Sequence, residues 1–138
     1  METDILNTLV TDAIWRAEEL DALGIQSPSP AWRDVSALEE ELAKAFPATE
    51  FQGQIARRGA VRAALKAGDY DRAQALADAY IAEEAAPTSL KASLSEILEE
   101  ADRAMESRFQ HAAKHHTPRE ARDLARHFRE AGPFGLAA

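Results

Sequence analysis

Apolar residues recur every three or four positions along most of this chain, the spacing that predicts amphipathic α-helices. Alanine is abundant and no stretch alternates Val, Ile or Thr with polar residues, so the pattern favours helix throughout. We therefore expect an all-α, compact bundle of about six helices in a single domain over residues 1–138. Five of the predicted helices span residues 4–23, 29–46, 49–68, 88–115 and 117–132. The fourth helix in chain order runs from the turn at 68–71 to near residue 87.

Local signals mark the starts of two of these helices. Thr3 or Asp4 is expected to cap the first helix, because short polar side chains accept hydrogen bonds from the unpaired amides there. Thr49 and Gln52 have capping-box spacing ahead of the third helix. Gly59, inside that helix, either weakens it or permits a close helix crossing.

Two segments fall outside the helical pattern. The Pro/Ser-rich loop at 26–30 is the clearest break, because each proline removes an amide donor and disfavours helix in the residue before it. It is too short to separate domains. The tail at 133–138 is apolar, and it either folds back onto the bundle or docks on a second subunit, so a homodimer is an open alternative.

The third and fourth helices are expected to form a central helix-turn-helix hairpin. Gly68 supplies the left-handed residue that ends one helix, and Asp69 caps the next. The segment Gly68-Asp69-Tyr70-Asp71-Arg72-Ala73 resembles the turn of a tetratricopeptide repeat. The resemblance covers residues 55–86, is strongest at 68–73, and departs from the family at Arg57, where a tryptophan is preferred. It implies a packing or docking hairpin without a reactive group.

The amino-acid composition excludes several kinds of site and disfavours one class of partner. The chain contains no cysteine, which excludes disulfides, thiolate metal sites and cysteine nucleophiles. The net charge is −8, unfavourable for wrapping a phosphate backbone, so we expect a protein partner rather than nucleic acid. The charge is divided unevenly, with a net −10 in residues 1–100 and +2 in residues 101–138.

The expected location is the bacterial cytoplasm. The first residues are acidic and lead directly into an amphipathic pattern, so we read neither a signal peptide nor a membrane span. The absence of cysteine suits a reducing compartment, and the alanine and arginine usage is typical of bacterial proteins.

The last predicted helix has an arginine face. Its four guanidiniums are spaced three, four and three residues apart, which places them on one side of a helix. Such groups grip carboxylates and phosphates in pairs, so this face predicts an acidic partner. The alternative is that they pair with acidic residues of the same chain or are only solvated. The members are Arg119, Arg122, Arg126 and Arg129.

Four histidines cluster in the same region. Two of them are four residues apart on one helix, a spacing at which imidazoles share a metal ion. The alternatives are a pH-responsive surface or ordinary surface residues near a helix end. The candidate ligands are His111, His115, His116 and His127.

The functional prediction is a non-enzymatic interaction or adaptor domain without a cofactor. No nucleophile elbow, phosphate-binding glycine loop or dinucleotide motif occurs in the chain, and the paired acidic residues are explained by solvated helix faces. Trp15 and Trp32 are expected in the core. If Trp32 is exposed beside the Pro/Ser loop, it becomes an interface anchor that joins the arginine face. The alternative function is a metal- or pH-responsive regulator built on the histidines.

Overall fold

The computed structural model describes residues 2–24 and 30–114, together with Arg119, Arg122 and Arg126. Residues in the two long ranges form five α-helices and no strand, which confirms the all-α class. The predicted sixth helix lies largely outside the described residues, although the three arginines are each helical. The helices are α1 (Thr3–Ala22), α2 (Pro30–Ala45), α3 (Phe51–Lys66), α4 (Tyr70–Ile81) and α5 (Thr88–Lys114).

The predicted caps of α1 and α3 are wrong. Glu2 and Glu50 occupy the two N-cap positions, and neither side chain makes a capping hydrogen bond. Thr3 is therefore the first helical residue of α1, and Thr49 precedes the cap of α3. The first backbone hydrogen bonds of the two helices go from Leu6 to the Glu2 carbonyl and from Gln54 to the Glu50 carbonyl, which makes Glu2 and Glu50 the N-cap residues.

The turn between α3 and α4 follows the predicted chemistry over a shorter span. Gly68 has a φ of 79°, the left-handed conformation that glycine adopts without strain. Asp69 accepts a hydrogen bond from the amide of Arg72 at 3.1 Å, which caps α4. Because α4 begins at Tyr70, the turn ends at Asp69 rather than at residue 71. The helix also ends earlier than predicted, at Ile81 instead of near residue 87.

α2 lies between α1 and α3, and α4 and α5 pack against α3. Val10 of α1 shares a core with Leu42 near the end of α2, whereas Ala17 joins Trp32 near the start of α2. α1 therefore runs antiparallel to α2. Ala63 of α3 joins the same Trp32 cluster, so α3 also runs antiparallel to α2 and parallel to α1.

Small side chains bring α2 and α3 into close contact. Four alanines of α3 are buried, and its two glycines face Glu39 of α2 and the segment that follows α2. A Cβ atom on Gly53 would collide with the carbonyl oxygen of Pro47, and one on Gly59 would lie 2.8 Å from Cδ of Glu39. Gly59 therefore leaves room for the end of the Glu39 side chain between α2 and α3. The alanines are Ala56, Ala60, Ala63 and Ala64.

A buried arginine joins the start of α3 to the segment that follows α4. Arg57 binds the Glu83 carboxylate through Nε at 2.9 Å and Nη2 at 3.0 Å. Its Nη1 donates to the carbonyls of Phe46 and Gly53, both at 2.9 Å. Its guanidinium carbon lies 5.4 Å from the ring centroid of Tyr80. A buried charge with this many partners holds three segments in one geometry.

A second buried polar side chain, Ser36, links α2 to α3. Ser36 is fully buried on α2, and its hydroxyl donates to the Ala60 carbonyl of α3 at 2.8 Å. The hydroxyl oxygen accepts from Nε of Arg72 at 3.0 Å, and Nη2 of Arg72 lies 2.7 Å from Glu40. Ser36 and Arg72 therefore link α2, α3 and α4 through satisfied hydrogen bonds.

The packed part of α5 ends well before the helix does. Ala101 is its last buried residue, and none of the described side chains from Asp102 to Ala113 is buried. The Tyr70 hydroxyl of α4 donates to Asp102 at 2.7 Å, at the end of the packed part. That hydrogen bond is the main reason that the pKa of Tyr70 is raised to about 12.

We predict opposite responses to alanine at the two glycines of α3. Both substitutions gain up to about 1 kcal/mol of helix propensity. Gly53→Ala pushes against a backbone carbonyl that cannot move, and we expect a net loss of about 1 to 3 kcal/mol from overpacking. Gly59→Ala displaces only the flexible end of Glu39, so its free energy of unfolding should stay near or above that of the parent. Urea unfolding followed by circular dichroism measures both. Equal losses would contradict the assigned contacts.

Candidate functional site

A cleft of about 170 Å³ opens between α1 and α3, and α2 forms its floor. We call it the α2 cleft. Its walls are mostly apolar and are formed by Ile14, Trp32, Val35 and Ala63. Four charged residues also line it, namely Glu18 on α1, Glu39 on α2, and Arg62 and Lys66 on α3. The cleft exists because α1 and α3 both pack on α2 and leave a gap above it.

Glu39 is the unusual residue of the α2 cleft. It is only 6% exposed, and its Oε2 atom is fully enclosed with no hydrogen-bond partner among the described residues. Gly59 makes room for the carboxyl group, which lies against the α3 backbone where any side chain would collide with it. Burial raises the pKa of Glu39 to about 7. The carboxyl group is therefore partly protonated at neutral pH, and an enclosed oxygen is left without a donor.

The other buried polar atom without a partner in the described residues is the hydroxyl of Tyr80. Its pKa is raised to about 12, mainly by burial, so the phenol stays neutral at physiological pH. The ring lies beside Arg57 and belongs to the packing around that guanidinium. Tyr80 does not line the α2 cleft. We therefore assign it a structural role.

Of the two tryptophans expected in the core, Trp32 is buried and Trp15 is exposed. Trp32 is 5% exposed, its indole Nε1 donates to Asp21 at 2.7 Å, and the Lys66 ammonium lies 4.3 Å from its ring centroid. The condition for Trp32 as an interface anchor is not met, because α1 and α3 cover the ring. Trp15, expected in the core, is 73% exposed, because α1 turns that side away from α2.

Three residues of the predicted arginine face are described. Arg119, Arg122 and Arg126 are each helical and exposed, and none forms an ion pair with another described residue. Their spacing places them on one side of a helix. Arg129 lies outside the described residues.

The histidine cluster is mostly outside the described residues, which exclude His115, His116 and His127. His111 is exposed on α5. Within the described part of the chain, no three His, Cys, Asp or Glu side chains are placed to hold one metal ion. The metal site stays a prediction from spacing.

Sequence reasoning missed Glu39, although a signal was available. Trp32, Val35, Glu39, Leu42 and Phe46 follow one another at intervals of three and four, so Glu39 interrupts the apolar stripe of α2. The acidic run at 39–41 hides this position, because its neighbours are solvated. The periodicity alone places the first acid of the run on the buried face.

The chain matches no protein-family model, curated protein or solved structure. The resemblance to a tetratricopeptide hairpin therefore stays a prediction from the residues of the turn. None of the helices in residues 2–24 and 30–114 is both long and apolar enough to cross a bilayer.

We predict that Glu39 makes stability depend on pH. Its pKa is about 7 in the folded chain and 4.5 in the reference state. The folded state holds the proton more tightly, so the stabilisation from protonated Glu39 is complete below pH 4.5 and is lost as pH rises to 7. Because one pKa unit is about 1.4 kcal/mol, the loss is at most about 3 kcal/mol.

Chemical denaturation between pH 4 and pH 8 tests this dependence on the parent protein and on Glu39→Gln. The difference in unfolding free energy should grow in favour of the variant as pH rises. Glu41→Gln is the matched control, because Glu41 is exposed on the same helix. A difference that does not change with pH would show that the Glu39 carboxyl group is well solvated.

Proposed function

We propose that this chain is a non-enzymatic interaction domain of a bacterial cytoplasmic protein, and that it binds an acidic protein partner through the arginine face. One observation carries the proposal. Arg119, Arg122 and Arg126 are exposed and make no ion pair with any other described residue, although residues 1–100 carry a net charge of −10. The acidic part of the chain does not neutralise them there.

The shape of the helical frame supports the same proposal. The helices before the unpacked end of α5 share a continuous core and the hydrogen bonds of Ser36 and Arg57, so they form a stable frame for the segment that follows. Three guanidiniums in one row form charge-assisted, often bidentate hydrogen bonds with carboxylates. A partner that presents carboxylates at helical spacing fits this row best.

The alternative function, a metal- or pH-responsive regulator, rests on the spacing of the four histidines. Three of these histidines lie outside the described residues, and within those residues no three His, Cys, Asp or Glu side chains are placed around one ion. Calorimetric titration of zinc into tag-free protein distinguishes the two, because an imidazole site releases or absorbs heat at micromolar metal.

We predict that Arg122→Glu with Arg126→Glu weakens binding of a fluorescent octaglutamate peptide roughly tenfold or more, because attraction becomes repulsion at two positions. Fluorescence anisotropy at low and at physiological salt measures the affinity. The matched control is Arg16→Glu with Arg33→Glu, an equal change of charge at exposed positions on α1 and α2. The control should retain nearly full binding, and both variants should keep the parent's helicity and melting temperature.

An octathymidine strand, measured in parallel, separates a protein partner from nucleic acid. Tighter binding of the oligonucleotide than of the peptide would contradict the proposal. Equal losses in both double variants would show a response to net charge alone, and that result would also contradict it.

A further inference from the structure

We propose that the α2 cleft binds a cationic nitrogen group on an alkyl stem, an alkylammonium or alkylguanidinium, with the Glu39 carboxylate as its acceptor. The proposal is independent of the arginine face, which lies on a different part of the chain. It rests on the geometry of the floor of the cleft, which Glu39 lines and where its Oε2 atom has no donor among the described residues.

No lysine or arginine among the described residues forms an ion pair with Glu39. Arg62 and Lys66 line the cleft, but neither comes within the 4.0 Å of an ion pair with it. The ammonium of Lys66 lies over the Trp32 ring instead. Desolvation is the cause of the raised pKa of Glu39, with no lowering by a nearby positive charge. The backbone of α3 offers no donor either, because amides within a helix are already bonded to carbonyls of the preceding turn.

The positions of the charged side chains in the α2 cleft favour a cation over an anion as its ligand. Glu39 lies on the floor of the cleft, whereas Arg62 and Lys66 lie on the α3 wall. An anion that reached the floor would therefore meet the Glu39 carboxyl group. Glu18 on the α1 wall provides a second carboxylate for a cation. The net charge of −10 in residues 1–100 also attracts cations toward this part of the molecule.

The size of the cleft points to one side chain or a comparably small amine. Its volume of about 170 Å³ is below the roughly 300 to 1,000 Å³ of cofactor and drug sites. Ile14, Val35 and Ala63 offer an apolar surface for a methylene stem, and Glu39 lies at the floor for its charged end. A stem of about four carbons with a terminal nitrogen matches this arrangement.

The neighbouring charges determine how binding responds to pH and to substitution. Glu18 faces the cleft from α1, Arg62 and Lys66 face it from α3, and burial raises the pKa of Glu39 on the floor to about 7. A cation prefers ionised Glu39, so affinity should rise roughly tenfold per pH unit below pH 7 and level off above it. Arg62 opposes the cation, so Arg62→Ala should tighten binding.

The test uses n-butylammonium as the probe and butyrate as its counterpart of opposite charge, on the full chain. Carbon-detected NMR of the Glu39 carboxyl group reports its pKa with and without each probe. We expect n-butylammonium to bind, to lower the pKa of Glu39, and to lose at least tenfold in affinity in Glu39→Gln. Glu41→Gln, at an exposed neighbour, should bind as the parent does.

A capped Gly-Lys-Gly peptide distinguishes the source of the cation. Binding of the peptide as tight as that of n-butylammonium assigns the group to a partner's side chain, whereas binding of the small amine alone assigns it to a free amine. Either result supports an alkylammonium site. Tighter binding of butyrate, or an affinity for n-butylammonium that changes neither with pH nor in Glu39→Gln, would overturn the proposal.

Discussion

The close approach of α2 and α3 is the constraint on which the rest of the structure depends. Backbones come this near only where side chains are missing or small, and α3 provides two glycines and four buried alanines. The contact places α1 and α4 as well, because α1 packs on α2 and α4 packs on α3. A chain with larger residues at these positions would need a wider helix pair, and its core would no longer close.

The same contact buries three polar side chains, with different results. Ser36 and Arg57 donate hydrogen bonds to acceptors on other segments, and each therefore joins segments that are distant in sequence. The Oε2 atom of Glu39 has no hydrogen-bond partner among the described residues. An unpaired buried carboxyl group destabilises a fold, so it is more readily explained by a binding role than by packing. Our two proposals assign opposite preferences to two surfaces, a cation to the α2 cleft and an acidic partner to the arginine face.

Periodicity and turn chemistry predicted most of the architecture, because helices and their breaks are encoded locally. The all-α class and the Gly68–Asp69 turn needed only neighbouring residues. The caps of α1 and α3 were wrong, because tertiary contacts and solvent decide whether a cap is used. Residue type alone would place Arg57 and Glu39 on the surface, because charged side chains are mostly exposed. The burial of Arg57 depends on tertiary contacts with Phe46 and Glu83, which no local pattern gives, whereas the apolar stripe of α2 places Glu39 on the buried face of that helix.

Native-state hydrogen exchange tests the central role of the α2–α3 contact most directly. If this contact holds the fold, the amides of α2 and α3 around Ala43, Ala60 and Val61 should exchange only through global unfolding. Amides of α5 beyond Ala101 should open at lower free energy, because no described side chain there is buried. Highest protection in α1 or in the last turns of α5, with earlier opening of α2 and α3, would contradict this account.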